Sequence, residues 1–239
     1  MKGKLFLIPT ILAEDTGDQV VPPSIRDTVK GIDYFLCENV RTARRYVSSL
    51  KVHETIGSLH FEVLNKDTKA EELSRLLDPL IHGKNVGLMS EAGCPGIADP
   101  GSLAVKFAHE NDFRVVPLVG PSSILLALMG SGLNGQKFAF HGYLPIESKA
   151  VIQAIRNLER ESKEKNQTQV FIETPYRNNQ LLSHLLKSLQ PDTCLCVAIG
   201  LTSNHEQIIC KDVSLWKKRV PTLAKTPATF LFLAHSGVL

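Results

Sequence analysis

Long apolar runs are missing from this 239-residue chain. Nothing approaches the roughly eighteen consecutive apolar residues that a membrane-spanning helix needs. The N-terminal stretch MKGKLFLIPTILAEDTGD has a short apolar run that is broken by Pro9 and then by acids, which does not suit a signal peptide. The expectation is a cytoplasmic protein with no membrane partner. A disulfide framework is also lacking: the five cysteines are odd in number, and three sit in apolar, strand-like stretches, as buried reduced thiols do. Cys194 and Cys196 share a strand as C-x-C, but no matching His/Cys cluster completes a zinc site, so no metal is expected. Walker, HExxH, GxSxG and CxxC patterns are absent, which removes most hydrolase, kinase and zinc-enzyme readings. One-signed charge is absent as well. Lys and Arg total 27 against 24 Asp and Glu, a formal +3, far from the balance of a dedicated nucleic-acid binder. The clusters Arg41, Arg44, Arg45 and Lys217 to Arg219 read first as solvated helix faces.

What is present is a large share of apolar residues, 43%, dealt out in alternation. Short apolar runs (KLFLIPT, DYFLCE, NVGLMS, RVVPLV, KFAFHGY, QVFIET, CLCVAIGL, EQIIC and ATFLFLAH) alternate with amphipathic segments, the pattern of α/β architecture with parallel strands and crossover helices. Thr68 and Glu71 have capping-box spacing ahead of a Leu73, Leu76, Leu77, Leu80 stripe. Other helices are expected from Ser122 to Met129, after Pro145 and after Pro175. A joint near residue 118, where VVPLV runs into Gly120-Pro121, divides the chain into α/β domains 1–118 and 119–239. The polar run from Arg160, RESKEKNQTQ, reads as a mobile surface loop.

Gly130-Ser-Gly132-Leu-Asn-Gly135 satisfies G-x-G-x-x-G, but a helix-length segment precedes it and a strand follows, the reverse of a dinucleotide fingerprint. It reads as a helix end and turn. The stretch Ser90 to Gly101, SEAGCPGIADPG, is more informative. It leaves the carboxyl end of the buried strand NVGLMS, where open α/β sheets bind ligands, and is longer than an ordinary strand-to-helix connection. Gly93 and Gly96 remove side-chain bulk, Pro95 and Pro100 stiffen the loop, and a helix begins near Pro100. Gly120-Pro121-Ser122-Ser123 repeats the device at a second strand end.

Taken in order, LFLIPT, CENVR, LMSEAGCPGIADPG, VVPLVGPSSILLALMGSGL, FAFHGYLP and VFIETPYR resemble the tetrapyrrole methylase superfamily of S-adenosyl-L-methionine-dependent methyltransferases, most of all its ribosomal RNA small subunit methyltransferase I branch. The resemblance covers nearly the whole chain. It implies two α/β domains with mixed and parallel sheets, the cofactor in a cleft between them, and a homodimer. Carried over by motif, Ala92, Gly93, Cys94 and Ile97 contact the cofactor, with Ser122 and Ser123, Leu12 in the first loop, and Glu173, Pro227, Ala228 and Thr229 from the second domain. The sequence departs from the family pattern at several positions: Asn39 and Val40 replace an acid and a threonine, Ile199 and Gly200 replace Arg-Glu, and the first loop lacks its Gly-Asn.

The implied reaction is direct displacement at an activated methyl carbon, to which the protein contributes positioning in a dry site. For a ribose 2′-hydroxyl of ribosomal RNA or the small ribosomal subunit, Glu38, Glu62 and Tyr176 are candidate bases, and Arg41, Arg44 and Arg177 candidate phosphate holders. Glu38 and Arg41 are chosen as the acceptor-side pair, although Glu38 at this spacing also suits a simple ion pair with Arg41. Two other readings stand beside this one: a small-molecule or tetrapyrrole methyltransferase, favoured by the ending TPATFLFL, and a cofactor-binding protein that has lost catalysis, suggested by the altered acidic positions.

Overall fold

The structure, a computed structural model, describes residues 2–235. The chain divides into two compact units, one ending at Ser122 and the other starting at Ser123. The sequence places the joint at residue 118, but the chain stays with the first unit a little longer. The Leu118 N–H donates to Leu7 O at 3.0 Å, and the Cys94 thiol reaches Pro121 O at 3.4 Å.

The first unit contains β1 (Lys4–Ile8), α1 (Gly17–Val20), α2 (Pro23–Val29), β2 (Tyr34–Cys37), α3 (Val40–Ser49), β3 (His60–Val63), α4 (Ala70–Leu76), α5 (Asp78–Ile81), β4 (Val86–Met89), α6 (Gly101–Glu110) and β5 (Arg114–Pro117). Its five strands are ordered β3-β2-β4-β1-β5, with every pairing parallel. Side chains alternate across a strand, so the sheet feeds two cores. Ile8, Phe35, Cys37 and Met89 face α2 and α3, while Leu5, Leu36, Val86 and Leu88 face α4, α5 and α6.

Three local expectations change here. β3 is an additional strand: His60-Phe-Glu-Val carries charge and lies half-exposed at the sheet edge, so no apolar run announces it. The helix cap sits one residue later than read, because the Lys69 N–H donates to the Glu72 carboxylate at 2.9 Å, whereas Thr68 Oγ1 accepts the Asn65 N–H. The leucine stripe is buried as expected but is split between α4 and α5 at Asp78-Pro79, since proline belongs in a first helical turn.

The second unit contains α7 (Ser123–Ser131), β6 (Phe138–Tyr143), α8 (Ser148–Lys165), β7 (Thr168–Glu173), α9 (Asn178–Ser188), β8 (Cys194–Ile199), β9 (Gln207–Asp212), α10 (Val213–Lys218) and β10 (Ala228–Leu233). Its sheet is mixed, in the order β6-β7-β10-β8-β9. Among the described residues only β6 and β7 run parallel there. Phe171, Phe230, Phe232, Leu195 and Trp216 fill the core shared with α8 and α9, and the Trp216 indole donates to Leu195 O at 2.9 Å. The run from Arg160 is not a loop. α8 continues to Lys165 because Val151, Ile155, Glu159 and Ser162 recur on one buried face, and it stops at Asn166 in the left-handed conformation. In the G-x-G-x-x-G stretch, Gly130 lies inside α7 against Ile208, where an added Cβ would come within 2.4 Å of that side chain. Its glycine serves helix-on-sheet packing.

Candidate functional site

In the first sheet β4, β1 and β5 are neighbours and parallel, so the loops that follow them leave one edge side by side. They are joined by hydrogen bonds. The Thr10 N–H donates to Gly93 O at 2.9 Å, the Thr10 hydroxyl to Ser90 O at 3.3 Å, and the Cys94 thiol to Pro121 O. Burial raises the pKa of Cys94, which keeps it a thiol able to donate. The loops touch so closely that glycine is required at two positions. Gly93 has φ +76°, and a Cβ there would meet Leu12 Cδ2 at 3.2 Å and Pro121 O at 3.4 Å; a Cβ on Gly120 would fall 2.2 Å from Pro9 Cβ.

Side chains within the loops and beside them hold them. Asp99 accepts the N–H groups of Gly96 at 2.9 Å and Gly101 at 2.7 Å, which folds the Ser90–Gly101 segment back onto the start of α6. Tyr46, buried on α3, donates to Pro9 O at 2.7 Å and fixes the first loop. Asn39 caps α3 by accepting the N–H groups of Arg41 and Thr42, so the residue that replaces the family's acid still does an acid's capping work.

Beside this loop lies a groove of about 820 Å³ bounded by Glu38, Asn39, Glu91, Gly96, Asp99 and Ser102, among others. It is acidic, and two of its carboxyls titrate high. Glu38 is pushed above the ordinary carboxylate value by burial and by the neighbouring charges of Asp99 and Glu91, against a weak 3.4 Å bond from the Glu91 N–H. Burial raises Asp99 too, opposed by its backbone N–H partners. A partly desolvated carboxylate among like charges is a better proton acceptor than one in water.

In the second unit the antiparallel register sets Ala228 opposite Glu173, with Pro227 just before and Thr229 just after. Glu173 is buried, accepts the Thr174 N–H and is held by Arg177 in a two-bond pair at 2.9 and 2.6 Å. Asn178 donates to Thr226 O at 2.7 Å, and Asn179 bonds both the N–H and the carbonyl of Leu223, so the start of α9 anchors the segment that leads into β10.

The structure thus assembles Leu12, Gly93 and Cys94 around Pro121 in the first unit, with Ser122 next in the chain, and Glu173 with Ala228 in the second, where Ser123 opens α7. Ala92 and Ile97 lie on the exposed surface of the loop. Glu38 lines the groove, whereas Arg41 is exposed and outside its lining, and no Glu38–Arg41 ion pair occurs among the described residues. Of the other acceptor-side candidates, Glu62 is engaged by Arg75 at 3.4 Å, Tyr176 is 88% exposed, Arg44 lies over the Phe61 ring, and Arg177 is paired with Glu173. Asp99, Tyr46, Asn178 and Asn179 went unread in the sequence. Asp99 stood in plain view before Pro100-Gly101 at a helix start, whereas the two asparagines act across more than forty residues and leave no local trace.

A family model described as Tetrapyrrole (Corrin/Porphyrin) Methylases matches residues 16–214. The chain belongs to that family. As a family member it is a methyltransferase, of the class that draws its methyl group from S-adenosylmethionine. Similar proteins include the ribosomal RNA small subunit methyltransferase I of Halalkalibacterium halodurans, 31% identical over 87% of this chain and 68% of that protein. Those of Synechocystis and Bacillus subtilis are each 30% identical, over 86% and 89% of this chain and 69% and 68% of theirs. Among solved structures, a conserved hypothetical protein from Aeropyrum pernix has a TM-score of 0.69 at 14% identity, covering 98% of this chain and 86% of that one. The methyltransferase CobJ scores 0.63 at 13%, covering 98% and 100%. At such identities these show a shared tetrapyrrole-methylase fold.

Proposed function

We propose that this methylase family member methylates a ribose 2′-hydroxyl of small-subunit ribosomal RNA, with Glu38 accepting the hydroxyl proton. The relatives named as ribosomal RNA small subunit methyltransferase I support the class of acceptor. The observation that carries the chemistry is the raised carboxyl of Glu38 in a groove that borders the glycine loop.

The loop suits S-adenosylmethionine in charge: the acids of the adjoining groove favour a cation. When bound, that cofactor supplies a methyl group activated on a positively charged sulfur. Leu12, Ala92, Gly93, Cys94, Ile97 and Ser122 from the first unit, and Ser123, Glu173, Pro227, Ala228 and Thr229 from the second, are the residues assigned to hold it. Glu38 takes the proton from the acceptor oxygen as that oxygen becomes acidic on bonding to carbon, and the pocket's sparse side chains let the two reactants meet in line. Arg41, exposed at the start of α3, is assigned to a phosphate beside the acceptor nucleotide.

A cytoplasmic location and a homodimer belong to the same reading. The first rests on where small subunits are found; among the described residues no helix is long and apolar enough to cross a membrane. The second is supported by the exposed Met129, Ile146 and Tyr143, which a second copy would cover. The test is to map 2′-O-methylation of ribosomal RNA in cells with and without this protein. Loss of one ribose methyl group is expected; an unchanged profile overturns the RNA reading.

A further inference from the structure

The acidic groove beside Glu38 repels phosphates, so an RNA acceptor needs its backbone held elsewhere. The second unit carries a groove of the opposite character, about 660 Å³, between α8, the end of α9 and the segment following β10. Arg156, Arg160 and Lys163 follow one another at i, i+4 and i+7, so one face of α8 presents three cations over roughly 10 Å of helix. Lys187 adds a fourth from the end of α9. Among the described residues Arg156, Lys163 and Lys187 have no carboxylate within ion-pair distance, and Arg160 has only the exposed Glu164 at 3.9 Å. Two acids share the groove. Asp192 is exposed at its rim. Glu159 is buried, accepting the Gln190 N–H at 2.7 Å and the Thr193 hydroxyl at 2.5 Å, so it fixes the wall, and the four cations still outnumber the two acids.

Topology separates this groove from the assigned cofactor residues of the same unit. Ala228 sits opposite Glu173 at one end of β10, and Ala234 borders the groove beyond the other end, six residues or roughly 20 Å away. We infer that this groove binds the phosphodiester backbone of the RNA acceptor, at phosphates remote from the methylated nucleotide. The inference rests on the RNA reading above. Four cations along a groove, three with no internal partner, suit a flexible polyanion whose contacts are sequence-independent.

The test uses the full chain, with Arg156→Gln/Lys163→Gln as the variant and Lys218→Gln, exposed on α10 and outside the groove, as the control. Binding of a fluorescent single-stranded RNA is measured across a salt series, alongside S-adenosylmethionine affinity and methyl transfer to unmethylated small subunits. The double variant is expected to bind RNA about tenfold more weakly at low salt, with the slope of log K against log salt reduced by about 1.4, roughly 0.7 per lost phosphate contact. KM for subunits should rise while kcat, cofactor affinity and melting temperature hold. If the unaltered chain binds and methylates RNA and the double variant does so equally well, the groove assignment is overturned and the RNA reading survives. If the unaltered chain neither binds nor methylates RNA, both fall together. Loss of affinity for inorganic tripolyphosphate with RNA binding intact overturns the assignment in favour of a small-anion site.

Discussion

The two units reach their chemistry by different routes. In the first, parallel order alone places three loops at one edge, and bulk-free residues let them pack backbone to backbone. In the second, antiparallel register brings Ala228 to Glu173, and side chains do the holding: Arg177 grips Glu173 while Asn178 and Asn179 tie down the segment before β10. Charge divides along the same line. The first unit's groove is acidic, suited to a cationic donor and to taking a proton; the second unit's groove is basic, suited to a polyanion. A site made by backbone packing should fail when bulk is added, whereas a site made by side chains should fail when a polar group is removed.

The largest effect is expected from bulk in the first unit. Gly120→Val puts side-chain atoms where Pro9 already lies, and should cost about 3 kcal/mol of stability and abolish cofactor binding, as checked by thermal melting and calorimetry. Next, Glu38→Gln removes the proton acceptor without changing shape and should lower kcat roughly 100-fold with cofactor affinity kept. The sign of the pH effect follows from the raised carboxyl: burial favours its protonated form, a base works only when deprotonated, so the rate should fall as pH drops through a value above the ordinary carboxylate range. That limb should vanish in the Gln variant. In the second unit Arg177→Met leaves the buried Glu173 carboxylate without its partner and should cost about 2 kcal/mol in a melting experiment. Tyr46→Phe, which strips the buried Pro9 carbonyl of its donor, should cost about 1 kcal/mol and raise KM for the cofactor. Smallest is the cap: Glu72→Ala should cost roughly 0.5–1 kcal/mol and Glu71→Ala less, which separates the observed capping residue from the one expected by spacing.

The first unit was the more legible in sequence because backbone-made sites advertise themselves. A twelve-residue loop with three glycines and two prolines after a wholly buried strand has few purposes, and the structure packs it against Thr10 and Pro121. The second unit's holding bonds were hidden. Nothing local to Asn178 points to Thr226, forty-eight residues on. The run from Arg160 was so polar that it read as a loop, although Ser162 within it continues the buried stripe of Val151, Ile155 and Glu159. β3 escaped because an edge strand needs no apolar run, and the cap was misplaced by one residue because Thr68–Glu71 has the local pattern whereas the observed pair begins at Lys69, whose side chain is no capping acceptor.

The most direct test of the central claim is transfer of a labelled methyl group from S-adenosylmethionine to unmethylated small ribosomal subunits, followed by nuclease digestion to locate the label. The account predicts label on a ribose 2′-oxygen, formed by the unaltered chain and about 100-fold more slowly by Glu38→Gln. Label on a base, or equal rates from the two proteins, would contradict it.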